Sequence, residues 1–226
     1  KIHYNPTLQY KNVLIGDDII FNDKWSALVG FNYATVIQTS YNNEVKSSKY
    51  DKSELTPTLS LMYKPFDDLT TYVTYIESLE QGTIVGDDYS NRGEVLSPYV
   101  SKQYEVGAKY SLNDSVLLTG ALFRIEKANR YDKDLPSGMK EVTQDGLEIH
   151  EGLELTATGK VTDNLTIVGG GTIMNLEIDK AASNEGKKPA DTASKMAKLY
   201  AEYNIFAVKG LTLTGGAYYT WESYRD

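Results

Sequence analysis

A two-residue alternation of apolar and polar side chains, repeated in long blocks, is the feature that most limits what this chain can become. Tyr104, Val106, Ala108, Tyr110 and Leu112 alternate with Gln103, Glu105, Gly107, Lys109 and Ser111. Successive side chains of an extended strand point to opposite faces, so this block has one apolar and one polar face. The same period recurs where Leu153, Leu155, Ala157, Gly159 and Val161 alternate with Glu154, Thr156, Thr158 and Lys160. It returns over Ala197–Ile205 and again over Leu211–Trp221. A period of two excludes helical repeats, whose apolar spacing is 3.6. One such block fits any antiparallel sheet, but its recurrence between alternately short and long connections is the pattern of a membrane β-barrel.

The connections carry the second half of that pattern. Short turn signals sit at Asn22-Asp23, Phe66-Asp67-Asp68, Asn113-Asp114, Asp163-Asn164 and Val208-Lys209-Gly210, each between two strand patterns. They recur about every 44 to 49 residues, a period that also occurs in propellers. A propeller blade needs four short strands, whereas each period here holds two long ones. Between the turns lie polar segments near 40–53, 80–98, 128–145 and 179–194, rich in Gly, Asp, Asn, Ser and Lys. The expected order is therefore strand, short turn, strand, long loop, giving about ten antiparallel strands, as in barrels with short periplasmic turns and long extracellular loops.

Composition supports this reading and removes others. There are 18 Tyr against 5 Phe and 2 Trp, and Tyr suits strand surfaces and bilayer interfaces. Trp25, Tyr63, Phe66, Tyr110, Phe206 and Trp221 fall at or within a strand's length of a short turn, as interfacial girdles require. Lys109, Lys160 and Lys198 fall on the polar face of their strands. No apolar run approaches the roughly 20 residues of a spanning helix, and mean hydropathy is -0.40. A net charge of -8 argues against nucleic acid as a partner. With no cysteine, thiolate chemistry and Cys-based zinc sites are excluded. His3 and His150 stand far apart, which leaves no histidine-rich metal site, and the chain begins with neither methionine nor signal peptide.

The run Leu96-Ser97-Pro98-Tyr99-Val100-Ser101-Lys102-Gln103-Tyr104-Glu105-Val106-Gly107-Ala108-Lys109 resembles the barrel of TonB-dependent outer-membrane receptors, where a proline-led loop end enters a strand of this type. Leu117–Ile125 resembles the family's next strand, and Gly152-Leu153-Glu154-Leu155 the one after, followed by the turn Asp163-Asn164-Leu165. Lys198–Tyr203 and Gly210–Leu213 continue in register. The resemblance is strongest over 55–221, and within the family it is nearest to ferric-siderophore receptors of the ferrichrome and hydroxamate type. It implies a bacterial outer-membrane location and a 22-stranded barrel around an N-terminal plug. Residues 1–226 would then be one partial barrel domain, an internal fragment covering roughly the tenth to nineteenth strands, with the plug and closing strand absent. It further implies loops that capture a ferric siderophore and a TonB complex that acts through the missing plug. The wall would face outer-membrane lipid and the loops a lipopolysaccharide layer. Open sheet edges cannot be satisfied in lipid, so an isolated fragment must curl shut, remain in a nicked receptor, or pair with another copy.

Nothing in the chain reads as catalytic, so no enzyme activity and no cofactor are expected. His150 lacks the supporting motif of a nucleophile–base pair. Gly169-Gly170-Gly171 has neither the Lys-Ser/Thr nor the helix of a phosphate loop, and it fits a strand better. Asn164-Leu165-Thr166 matches a glycosylation pattern but falls in a tight turn. Asp87-Asp88 and Asp132–Asp134 could hold Ca²⁺, but their spacing favours solvated acidic loops. The candidate ligand-binding residues are Tyr89, Arg92, Arg130 and Tyr131, whose aromatic and guanidinium groups in the long loops suit a bulky iron chelate. The siderophore would supply the iron ligands, so no protein metal site is expected. Two alternatives stand beside this reading. One is a barrel that acts as a passive porin or as a haem, cobalamin or sugar receptor. The other is a soluble β-sandwich adhesion or carbohydrate-binding module.

Overall fold

The computed structural model describes residues 7–42, 45–113 and 115–223. The long alternating blocks form ten strands: β1 (Thr7–Ile20), β2 (Trp25–Asn42), β3 (Val45–Phe66), β4 (Leu69–Glu80), β5 (Tyr99–Leu112), β6 (Val116–Asp134), β7 (Lys140–Lys160), β8 (Leu165–Lys180), β9 (Lys195–Asn204) and β10 (Thr212–Thr220). They make one antiparallel sheet in sequence order, an up-and-down meander as expected. A sandwich needs two sheets packed face to face. The described residues form one, so the soluble-sandwich alternative fails.

Cross-strand partners share a face, which lets the two sides be read off the register. Val106 pairs with Val73 and Leu122; Val73 pairs with Leu61, Leu61 with Ala27, and Leu122 with Leu153. This apolar row crosses six strands and lies on the face that alternation assigns to lipid. The other face carries Tyr72, opposite Gly107, and Glu154, opposite Ala121 and Thr172. Lys109, Lys160 and Lys198 all stand on that inner side, paired with Thr119, Thr166 and Tyr218.

Aromatic pairs mark the edges of the lipid band. Near the short turns Trp25 stacks on its cross-strand partner Tyr63 with ring centroids 4.5 Å apart. At the far edge Tyr75 meets Tyr104 at 5.1 Å. The outward positions from Tyr104 to Leu112 cover about the 9–11 residues a barrel strand needs to cross a bilayer. From that edge on the outward face turns charged: Arg124, the cross-strand partner of Tyr104, has its Nε 3.2 Å from Glu126 and its Nη1 3.0 Å from Glu151. Trp221, a strand's length from the short turn at Val208-Lys209-Gly210 as expected, lies just past the far end of β10, in edge-to-face contact with Tyr219 at 4.4 Å.

The turn chemistry explains the short connections at one end of the sheet. The Asn22 Oδ1 accepts from the backbone N–H groups of Lys24 and Trp25 at 2.9 and 3.0 Å, closing the first turn. Asn113 takes a left-handed φ of 50°, which Asn tolerates better than most residues, and so reverses the chain between β5 and β6. At the opposite end two expected loops are mostly strand. Segment 40–53 continues β2 and β3 apart from residues 43–44, which lie outside the described residues, and 128–145 is strand except for 135–139. Their polar composition hid this, because above the lipid band both faces are wet and the two-residue pattern fades while the backbone ladder continues. Residues 81–98 and 181–194 remain long connections, as expected.

Candidate functional site

The connection between β4 and β5, residues 81–98, lies against the inner wall as an ordered strap. Its root is Gly82, whose N–H donates to the hydroxyl of the fully buried Tyr50 at 3.0 Å. Tyr50 pairs with Gln38 and lies on the inner, polar side of β3, so the strap covers the inside of the sheet. Val36 and Ala34 are buried on the same side of β2. Ile84 and Val95 bridge across the strap itself, and Val85 between them is buried.

A ladder irregularity in β7 supplies the next tie. Between the pairs Asn129–Gly146 and Tyr131–Thr143 the register shifts, which leaves Gln144 and Asp145 out of the regular ladder. Such irregularities re-aim side chains. Here Gln144 reaches the strap, its Oε1 accepting from the Thr83 N–H at 2.9 Å and its Nε2 donating to the Ser97 carbonyl at 2.7 Å. Farther along, the Ser90 N–H donates to the Lys140 carbonyl at 2.8 Å. The Asn91 side chain then reads both backbone groups of Val142, donating to its carbonyl at 3.0 Å and accepting from its N–H at 3.1 Å. The strap thus caps the edge of β7 above the end of β8, where unpaired backbone groups would otherwise be exposed. Between strap and hairpin lies a cleft of about 420 Å³, lined among others by Glu94, Ser97, Lys133, Glu141 and Gln144.

Of the four residues the sequence singles out, two are brought together. Tyr89 donates its hydroxyl to the Asp132 Oδ2 at 2.9 Å and receives an Arg130 N–H at 3.1 Å. Arg130 also lies 3.2 Å from the Asp132 Oδ1, with its guanidinium 5.6 Å over the Tyr89 ring. Arg92 is exposed in the turn at the strap's tip, where its N–H bonds the Tyr89 carbonyl at 3.2 Å. Tyr131 lies between Arg130 and Asp132, so strand alternation sends it to the opposite side; it is half-buried beside Thr143. Arg130 and Tyr131 are strand residues of β6, not loop residues.

Hydrogen bonding sets the ionisation of this cluster. The bond donated by Tyr89, with a further contribution from Arg130, holds the Asp132 carboxyl below the usual Asp value. The same bond to Asp132 holds the Tyr89 phenol above its ordinary value. Among the described residues no group of three or more metal-ligating side chains comes together, and Asp134 lies 3.8 Å from Lys140. On the inner wall below, the buried His150 Nε2 stands 3.5 Å from the Glu148 Oε2 without a hydrogen-bond partner. The Glu148 Oε1 accepts from Asn129 at 2.7 Å. Gly169–Gly171 lie within β8, paired with Ala157, Thr156 and Leu155, as their strand reading expects.

Sequence reasoning missed Tyr50, Asn91 and Gln144 altogether and read Asp132 only as a solvated carboxylate. Nothing local marks the first three, because their partners lie 32, 51 and 61 residues away.

A family model for the β-barrel of TonB-dependent receptor-like proteins matches residues 3–226. The chain belongs to this family. The ferrichrome outer membrane transporter/phage receptor of Escherichia coli K12 is 32% identical over 208 residues, covering 90% of this chain and 27% of that protein. Ferrichrome receptor FcuA of Yersinia enterocolitica is 26% identical over 92% of this chain and 28% of its own length. Among solved structures, BauA, the ferric preacinetobactin receptor of Acinetobacter baumannii, superposes with a TM-score of 0.81 at 29% identity, over 97% of this chain and 33% of that one. The chain therefore spans about a third or less of these relatives. As a TonB-dependent receptor barrel segment it is an outer-membrane protein, and its apolar face is the lipid face. The passive-porin alternative gives way to a receptor, and the named relatives are transporters and receptors, not enzymes.

Proposed function

We propose that this chain forms wall and outward-facing surface in a receptor that takes up ferric siderophores of the ferrichrome and hydroxamate type across the outer membrane. The observation that carries this reading is the likeness, over 90% of the chain, to a ferrichrome transporter. Residues 1–226 act in it as one partial barrel domain. Uptake is energised by a TonB complex acting on a plug that these residues do not supply. Tyr89, Arg92, Arg130 and, from the other side of β6, Tyr131 contribute to chelate binding. Support for this set comes from chemistry: a ferric chelate presents oxygen acceptors on an apolar body, and phenol, guanidinium and aromatic ring answer both.

The test is uptake of ⁵⁵Fe-ferrichrome by cells whose only siderophore receptor carries this segment. Accumulation that needs TonB and stops with a protonophore is the expected result. TonB-dependent uptake of haem or cobalamin, with none of ferrichrome or ferrioxamine B, would move the protein to the alternative receptor classes.

A further inference from the structure

We propose that the lipid-facing side of the wall carries a bound-lipid site: a groove across β2 to β6 that seats one acyl chain of lipopolysaccharide, with the lipid's phosphate at Arg124. The groove has a volume of about 730 Å³. One wall is the apolar row through Leu61, Val73, Val106 and Leu122. The other is the next outward row, Val29, Leu59, Tyr75, Tyr104 and Arg124, each the cross-strand partner of the one before. Between the rows, Thr74 and Glu105 turn their side chains to the inner face and so present backbone as the floor. Neither the groove nor its occupant depends on which chelate the receptor carries.

The make-up of the second row sets the direction of the groove. It is aliphatic on β2 and β3, phenolic on β4 and β5, and cationic on β6. Barrel strands tilt by roughly 35–45°, so a row that crosses them at right angles climbs through the bilayer. This one leaves the hydrocarbon at β5 and meets the headgroups at Arg124. Five strands at about 4.8 Å spacing make the groove about 19 Å long. That slightly exceeds the roughly 15 Å of one leaflet's hydrocarbon, as a tilted chain needs. Arg124 stands at the aromatic edge away from the short periplasmic turns, so the leaflet is the outer one, next to the lipopolysaccharide layer.

Hydrocarbon alone selects nothing here, because a lipid tail is as apolar as Leu. Selection comes from the polar end. Glu126 and Glu151 fix the Arg124 guanidinium through its Nε and Nη1, while its Nη2 has no partner among the described residues and the side chain is 42% exposed. Lys102 stands on the same face, between Glu77 and Glu126 in the register. A headgroup that fits must offer acceptors to the two cations and donors to the carboxylates. The phosphorylated sugar of lipopolysaccharide does both: its phosphate oxygens suit Arg124, and its hydroxyls suit Glu126 and Glu151.

The experiment extracts the full-length receptor from outer membranes in mild detergent and identifies the lipid that stays with it by mass spectrometry of the intact complex. Wild type should retain lipopolysaccharide. Arg124→Gln should lower the retained amount about three- to tenfold, the factor that charge-assisted hydrogen bonds at an exposed site are worth. Val73→Trp, which puts an indole into the groove, should do the same. Leu155→Trp, on the same face but outside the groove, should change nothing. Delipidated wild type should rebind purified lipopolysaccharide and not phosphatidylethanolamine. Retention is compared per folded barrel, counted as the fraction that keeps its compact mobility in unheated SDS, so that a folding defect is not read as lost binding. Equal retention by wild type, Arg124→Gln and Val73→Trp overturns the proposal. So does phospholipid retained in place of lipopolysaccharide, or a loss that Leu155→Trp shares.

Discussion

Two glycines leave room that neighbouring groups fill. A Cβ built on Gly82 would lie 2.0 Å from the Ser97 carbonyl oxygen and 2.8 Å from the Tyr50 hydroxyl. The first of these is backbone and cannot swing away. Gly82→Ala should therefore cost about 1–3 kcal/mol, as overpacking does, and should raise hydrogen exchange along 81–98. At Gly107 a Cβ would meet the Tyr72 ring at 2.6 Å, but that ring is the free end of a side chain. Gly107→Ala should only displace it, losing the 2.6 Å bond from Tyr72 to Glu105 at about 1 kcal/mol. In a Tyr72→Ala background the same substitution should cost almost nothing, which a double-mutant cycle by urea unfolding from detergent micelles would show. Asp132 adds a pH dependence with a definite sign. Its folded-state pKa is depressed, chiefly by the Tyr89 hydroxyl. Its contribution is thus fully present above the unfolded carboxylate value near 4 and is lost as pH falls through the lower folded value. The stability gap between wild type and Asp132→Asn should be flat above about pH 4 and close below it. A gap that widens on acidification would contradict the assignment.

At the scale of the strand, alternation is a statement about solvent, and it can be tested as one. Val106 lies in the middle of the outward row, whereas Thr156 faces inward opposite Gly170. Val106→Lys should destabilise the folded wall by roughly 2–4 kcal/mol, the cost of a cation near the bilayer midplane. Thr156→Lys, close to Glu154 on the wet side, should stay within about 1 kcal/mol. Equal losses in micelle unfolding would mean that the faces are misassigned. This rule also decides what the sequence could disclose. β5 and β7 were legible because one face meets lipid and the other does not, and Asn22 and Asn113 announced their turns. β1 showed itself by the turn that follows it and not by alternation: Leu8, Tyr10, Leu14 and Ile20 stand on its inner side, while Asp17 shares the outward side with Val13 and Ile15. The upper ends of β2, β3, β6 and β7 were read as loops for a related reason, since water on both faces removes the pattern. Of the candidate site, side-chain chemistry identified Tyr89 and Arg130. Their meeting at Asp132 depends on a strap tied down by contacts between distant segments, which no local spacing encodes.

For the whole molecule the decisive property is closure. The sheet runs from β1 to β10 in order, and its two terminal strands do not pair with each other. β1 is exposed along its full length, with Leu14, Ile15 and Ile20 each more than 70% accessible, and β10 is exposed at every residue. A hydrocarbon environment offers no partner for the unpaired N–H and C=O groups of such edges, each of which costs several kcal/mol. Inside the larger barrel of the family, neighbouring strands satisfy them. Expressed alone and refolded into micelles, these 226 residues have only one another's edges to use. Pairing β1 of one copy with β10 of another, or like edges together, would join two sheets into a wall near the strand number the family implies. The expected result is an elution volume larger than that of a 25.2 kDa monomer, with isotope-edited infrared spectra of mixed labelled and unlabelled copies showing inter-copy β-pairing. Lysine placed in the middle of β1, as in Val13→Lys and Ile15→Lys, should blunt that edge and shift the population toward monomer or aggregate-free unfolded chain. A wild-type segment that elutes as a compact, fully β-structured monomer would mean that the sheet curls shut on itself, and that closure is set by these strands and not by the rest of the wall.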